Sequence, residues 1–127
     1  MAVYEATDLI SLECAAAVPF ARFVQMNAAG GRLNVKQADD QSEGLMGVSA
    51  EAITLEAGQT GCLGVVISGV AKVRSAGTIA IGASVSTEND GQALTAAAGT
   101  RRMGVALSAA VDGDIFPILL TQGQILA

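Results

Sequence analysis

The chain contains no histidine and no tryptophan, two cysteines, two prolines and four aromatic residues, Tyr4, Phe20, Phe23 and Phe116. Lacking histidine, it lacks the commonest general base near neutral pH and the commonest metal ligand. Lacking tryptophan, it lacks the side chain most enriched at interface hot spots. Positive charge is also scarce: seven Lys/Arg stand against twelve Asp/Glu, a net charge of −5 that disfavours nucleic acid as a partner. Cys14 and Cys62 show no C-x-x-C spacing and have no histidine to complete a zinc site, so each reads as a small apolar core residue. Whether the two are bonded does not follow from the sequence. No apolar run approaches the ~18 residues of a membrane span, since the best candidate is broken by Gly69, Lys72 and Arg74. The segment Met1 to Asp8 has no basic leader and carries two acids, so the expectation is a soluble protein made in the cytosol, with no membrane partner.

What is present is aliphatic and small. The 127 residues and 12.7 kDa suit one domain. Of the 51% that are hydrophobic, 24 residues are alanine. A chain of this mass buries about two-thirds of its extended surface, but alanine contributes one methyl each, so the core is thin and support from a partner is expected.

Shifting the chain against itself by 61 residues aligns 9–33 with 70–94. Leu9 meets Val70, Leu12 meets Val73, Val18 meets Ile79, Phe20 meets Ile81, Val24 meets Val85, Gly30 meets Gly91 and Leu33 meets Leu94. After a slip of four at a polar loop, Met46-Gly47-Val48 falls on Met103-Gly104-Val105. Gly61 then falls on Gly113, and Val65–Ile67 on Ile118–Leu120. The expectation is one domain, 1–127, built from two similar copies of roughly 60 residues, approximately 7–68 and 69–127.

Apolar and polar residues alternate with period two around Leu33 to Lys36 and Thr78 to Gly82, and fifteen glycines punctuate the chain. This predicts an all-β fold: a short-stranded antiparallel β-barrel or sandwich whose two copies share one core about a pseudo-twofold axis. Turns are expected at Asn27–Gly31, Asn89-Asp90-Gly91, Ala98-Gly99 and Asp112-Gly113, the Asp-Gly pairs as hairpins. Ser49 to Leu55 could hold one or two helical turns. The longest polar loop, Asp39 to Gly44, is expected to be mobile.

No motif carries chemistry. Gly58, Gly61 and Gly64 lack the lysine of a phosphate loop. Glu88-Asn89-Asp90-Gly91 and Asp112-Gly113-Asp114 fall short of a calcium loop's ligands and read as polar turns. Lys36 and Lys72 read as solvated strand positions, Asp39-Asp40 as a solvated pair, and Phe20 and Phe23 as core. Arg101-Arg102 reads either as a strand edge protected by charge or as a bridge to an acidic partner. No catalytic, cofactor or metal residue is assigned, and no enzyme is expected.

The run Gly91-Gln92-Ala93-Leu94-Thr95-Ala96-Ala97-Ala98-Gly99, then Met103-Gly104-Val105-Ala106-Leu107, then Ala109-Ala110-Val111-Asp112-Gly113-Asp114 and an apolar closing strand, resembles small Ala/Gly-rich proteins of tailed phages. These are the capsid decoration, or cement, proteins, some once labelled predicted phage recombinases. Met46-Gly47-Val48-Ser49 repeats the pattern more weakly. The resemblance implies an all-β structural virion protein on the outer surface of an assembled head, where it stabilises the capsid against DNA pressure. It also implies a homotrimer near threefold positions, with the major capsid protein as partner and no catalytic residues. A recombinase would need an ATP-binding loop, which is missing. The loop at 38–44 departs from the family pattern and leaves its role open. The alternative is a soluble β-barrel binding module for a small ligand or carbohydrate, for which four scattered aromatics make a poor platform. A small β enzyme ranks last. The first six residues have no assignable sheet partner, so deleting residues 1–6 should weaken attachment to capsids more than it lowers the melting temperature of the free protein. Equal capsid binding by the truncated chain would contradict this.

Overall fold

The computed structural model describes residues 8–27, 34–38, 45–56, 58–87, 90–97 and 101–125. The fold is all-β. The first half carries β1 (Asp8–Cys14), β2 (Phe23–Asn27), β3 (Asn34–Gln37), β4 (Leu45–Ser49) and β5 (Gly61–Ser68). The second carries β6 (Val70–Arg74), β7 (Ser84–Thr87), β8 (Ala93–Thr95), β9 (Arg101–Ala106) and β10 (Ile115–Ile125). Most strands are short, as the turn rhythm requires, whereas β10 runs for 11 residues and pairs with both β6 and β9.

The first half closes into a barrel in the order β1-β3-β2-β4-β5, with β5 returning to β1. Among the described strands of this half, closure leaves none at the end of a sheet. The closing pair β1–β3 is parallel, through Cys14 and Val35, against an otherwise antiparallel set. The second half is a sheet in the order β6-β10-β9-β7-β8, and a parallel bridge from Ser75 to Ala93 turns its end strand back toward β6.

Pairings in the second half follow those of the first at constant shifts. Leu12 opposite Leu63 becomes Val73 opposite Phe116, Val24 opposite Gly47 becomes Val85 opposite Gly104, and Val48 opposite Val66 becomes Val105 opposite Leu119. The isolated bridge Val18–Ile53 becomes Ile79–Ala110. The register departs from the sequence alignment in two places. Gln25 opposite Lys36 becomes Ser86 opposite Leu94, so Lys36, not Leu33, is the counterpart of Leu94 and the slip begins ahead of β3. Likewise Leu12–Leu63 and Val73–Phe116 put Asp114, not Gly113, at the place of Gly61.

Two apolar clusters form, not one shared core. Leu12, Cys14, Val18, Val24, Val35, Leu63 and Val65 fill the first barrel, with Ile10, Ile53, Leu55 and Ile67 packed around them. The second cluster gathers the inward residues of the second half, including Val73, Ile79, Met103, Phe116 and Ile118, and takes in Phe23, Ala38, Val48 and Val66 from the first. Successive strand residues point to opposite faces. Val24 therefore fills the barrel while Phe23 leaves it to pack on the other half. Three hydrogen bonds cross the same seam: Phe23 N–H to Gly91 O at 2.8 Å, Arg74 N–H to Ala21 O at 2.9 Å, and Arg22 Nη1 to Asp90 O at 3.0 Å. Gly91 is required there, because its φ is +72° and a Cβ would lie 2.8 Å from Phe23 O.

Several sequence expectations change. Ser49 to Leu55 forms no helix. Its Ile53 instead exchanges two backbone hydrogen bonds with Val18, at 2.9 and 3.0 Å, an extended pairing suited to β-branched residues. Phe20 is 40% exposed and not a core residue, whereas Phe23 is fully buried. Cys62 is exposed, because on β5 it alternates with the inward Leu63; both cysteines are free thiols. Lys36 is half-buried, while Lys72 is exposed as expected. Arg101-Arg102 opens β9, where it pairs with Gln124 and Ile125 of β10, whereas β7 pairs with β9 farther along, at Gly104 and Val105. Asp90-Gly91 does turn the β7–β8 hairpin, but Asp112-Gly113 turns within the longer 107–114 connection. The expected turns at 28–31 and 98–99, the 39–44 loop and the first six residues fall outside the described residues.

The closest strand approach occurs twice, at equivalent places. A Cβ on Gly47 would collide with the carbonyl oxygen of Val66, and one on Gly104 would lie 2.5 Å from that of Leu119. Backbone cannot yield there as a flexible side chain would, so Gly47→Ala and Gly104→Ala should each lower unfolding free energy in urea by about 3 kcal/mol. Gly77→Ala, where a Cβ meets nothing within 4 Å, should change it far less. Burial, joined by the charges of Cys62 and Glu13, pushes the Cys14 thiol pKa up. One equivalent of maleimide should therefore label the native protein, at Cys62, with Cys14 reacting only after denaturation.

Candidate interaction surface

Several acids of the described residues are engaged locally. Glu51 accepts the Gly64 N–H within β5 at 3.1 Å, Asp8 the Ser68 hydroxyl at 2.8 Å where β1 and β5 end, and Asp114 the Val111 N–H at 3.0 Å in a turn. Among the described residues no three of His, Cys, Asp and Glu come together as metal ligands would. Arg22 is half-buried at the seam. Burial first, and then the charge of Arg74, push its pKa down against the opposing pull of Asp90, and its guanidinium holds the Asp90 carbonyl. Its place is a clamp between the halves.

The seam is steered by Ser49, whose hydroxyl donates to Pro19 O at 2.7 Å and accepts the Arg22 N–H at 3.0 Å. That pair fixes the 19–22 turn and leaves Phe20 at the surface. Beside it lies a groove of about 140 Å³ lined by Phe20, Val48, Ala50, Val66, Val70 and Lys72.

Val70 and Lys72 carry this groove onto the outer face of the second sheet. On β10, Phe116, Ile118 and Leu120 point inward and are buried, so Ile115, Pro117 and Leu119 point out. Partners in register share a face: Leu119 lies between Val70 and Val105, Pro117 beside Lys72, and Ile115 beside Arg74. Leu107 joins them through its N–H to Pro117 O at 3.0 Å. The outcome is an aliphatic strip on β10 with exposed Lys72 and Arg74 along one side. Neither cation makes an ion pair among the described residues.

This face was not singled out from the sequence. The signal is Ile115-Phe116-Pro117-Ile118-Leu119-Leu120, apolar at both parities, which reads as a strand buried on both sides. The structure covers only one of them. The fold has no helix among the described residues, and so none long and apolar enough to cross a membrane.

Comparison with known proteins agrees with this all-β architecture. Among solved structures, the N base of head fiber gp8.5 of bacteriophage phi29 has the same fold, with a TM-score of 0.71 over 94% of this chain and 100% of that one at 14% identity. No curated protein matches the sequence. The family model for phage cement proteins matches residues 5–120, nearly the whole of both halves. By that match the chain belongs to the phage cement protein family and is a structural protein of the virion.

Proposed function

We propose that this protein binds the outer surface of an assembled phage head through the face formed by β6, β10 and β9, and there stabilises the shell against the pressure of packaged DNA. The observation that carries the reading is the outward row Ile115, Pro117 and Leu119 on a paired strand, with Ile115 and Leu119 exposed and Pro117 half-buried between them. Burying such a row contributes about 25 cal/mol per Å² of apolar surface removed from water. Lys72 and Arg74 beside it suit acidic residues on the shell, the electrostatics serving alignment and encounter more than affinity. The partner is the major capsid protein, and the molecule docks as a homotrimer near threefold positions, so that weak contacts repeated over the shell combine through multivalency. We also propose that the chain is one decoration domain made by internal duplication, approximately 7–68 and 69–127. The repeated strand registers support that reading.

The test is to mix the purified protein with heads assembled without it and to image them for added density at symmetry axes. Leu119→Asp should lower head occupancy at least tenfold with a melting temperature within a few degrees of wild type. Leu9→Asp, on the outside of the first barrel, should bind as wild type does. Binding unaffected by Leu119→Asp would remove this face as the docking surface. Light scattering of the free protein should give three times the chain mass, and a strict monomer at high concentration would remove the trimer.

A further inference from the structure

Each half carries a short extended pair outside its named strands, Val18 with Ile53 in the first and Ile79 with Ala110 in the second. In the first half the pair is well filled. Ile53 and Leu55 pack against the barrel core, and the Cδ1 of Ile53 lies over Gly61, 2.8 Å from where a Cβ would stand. The register that relates the halves places Ala110 at the position of Ile53, Asp112 at that of Leu55 and Asp114 at that of Gly61. Two large aliphatic side chains are thus missing from the second half. A shallow cavity of about 310 Å³, open to solvent, is found there, lined by Thr78, Ile79, Ala80, Ala110, Val111 and Asp114. Of its lining, Val111 is 57% exposed, and Ile81, next to the lining residue Ala80 in the chain, is 69% exposed.

From this we infer that the cavity receives one branched aliphatic side chain from the head's shell protein, on an extended segment that also carries a lysine or arginine. The inference rests on the head-binding reading above and names the chemistry of the partner. The aliphatic requirement comes from the first half, where this chain's own Ile53 shows what such a place accepts. The cavity also adjoins the proposed docking face, since Asp114 leads directly into Ile115. The basic requirement comes from Asp114, exposed and lining the cavity, and from Asp112, exposed two positions before it in the chain. A second copy is the poorer occupant. Among the described residues of the first half the most exposed aliphatic one is Leu9, and it sits beside Asp8 and Glu51, so like charges would meet across the contact.

The test fills the cavity from within the chain. Ala110→Ile restores the residue that the first half uses, and Ala80→Leu reaches across the opening from an exposed position that leaves the core untouched. Ala80→Leu therefore decides the matter if Ala110→Ile lowers the yield of folded protein. Both are expected to weaken binding to undecorated heads at least tenfold, with the melting temperature and the oligomeric state of the free protein unchanged. Asp112→Lys is expected to weaken it severalfold, with a smaller salt dependence. If wild type binds heads and Ala80→Leu binds equally well, the cavity is not used and the inference falls while the functional reading stands. Loss of self-association in place of loss of head binding would make a second copy the occupant and overturn it. Failure of wild type to bind heads at all would overturn the functional reading itself, and the inference with it.

Discussion

Everything else in this molecule leans on the burial of Phe23, Val48 and Val66. These residues belong to the strands of the first barrel but point away from its interior, into the apolar cluster of the second half. The first barrel is filled largely by valine and leucine, with a cysteine, and offers little apolar area per residue. The second half is an incompletely closed sheet whose inward face would be open without those three side chains and Ala38. Neither half encloses a large core by itself, and the seam joins two modest ones. The hydrogen bonds at Arg22, Phe23 and Arg74 hold that seam in a single register.

Much of this was legible in the sequence. Period-two alternation and glycine spacing gave the all-β class, and the Met-Gly-Val segments marked β4 and β9, whose glycines admit a neighbouring carbonyl. Other features were hidden because local patterning carries no information about which surface lies across from a strand. Phe20 and Phe23 differ by three positions and have the same hydrophobicity, yet the 19–22 turn puts one in water and the other in the core. Cys62 has the composition of a core residue but the wrong parity. The parallel pairing of β1 with β3 joins residues distant in sequence and has no turn signature to announce it. Leu33 was matched to Leu94 because like residues align well, whereas backbone pairing assigns Lys36 to that place.

The two halves share a framework but differ in finish. In the first, Ile53 and Leu55 complete the packing at the barrel mouth. In the second, alanine and aspartate stand at the corresponding places, and aliphatic residues along β10 turn outward. The unfinished half is the one with surface to offer. A structural protein of the virion has no need of convergent ionisable groups. It needs apolar area displayed on a backbone stiff enough not to collapse over it, and pairing of β10 on both sides supplies that stiffness.

The Phe23 amide has a further consequence for how the chain is made. Its hydrogen-bond acceptor, Gly91 O, lies 68 residues downstream, and so does most of the apolar cluster that its ring enters. A ribosome delivers the first barrel well before either is available. Until the later sequence emerges, the nascent chain presents a greasy flank bearing an unanswered backbone donor, and synthesis itself imposes an interval in which this small protein is prone to stick to its neighbours.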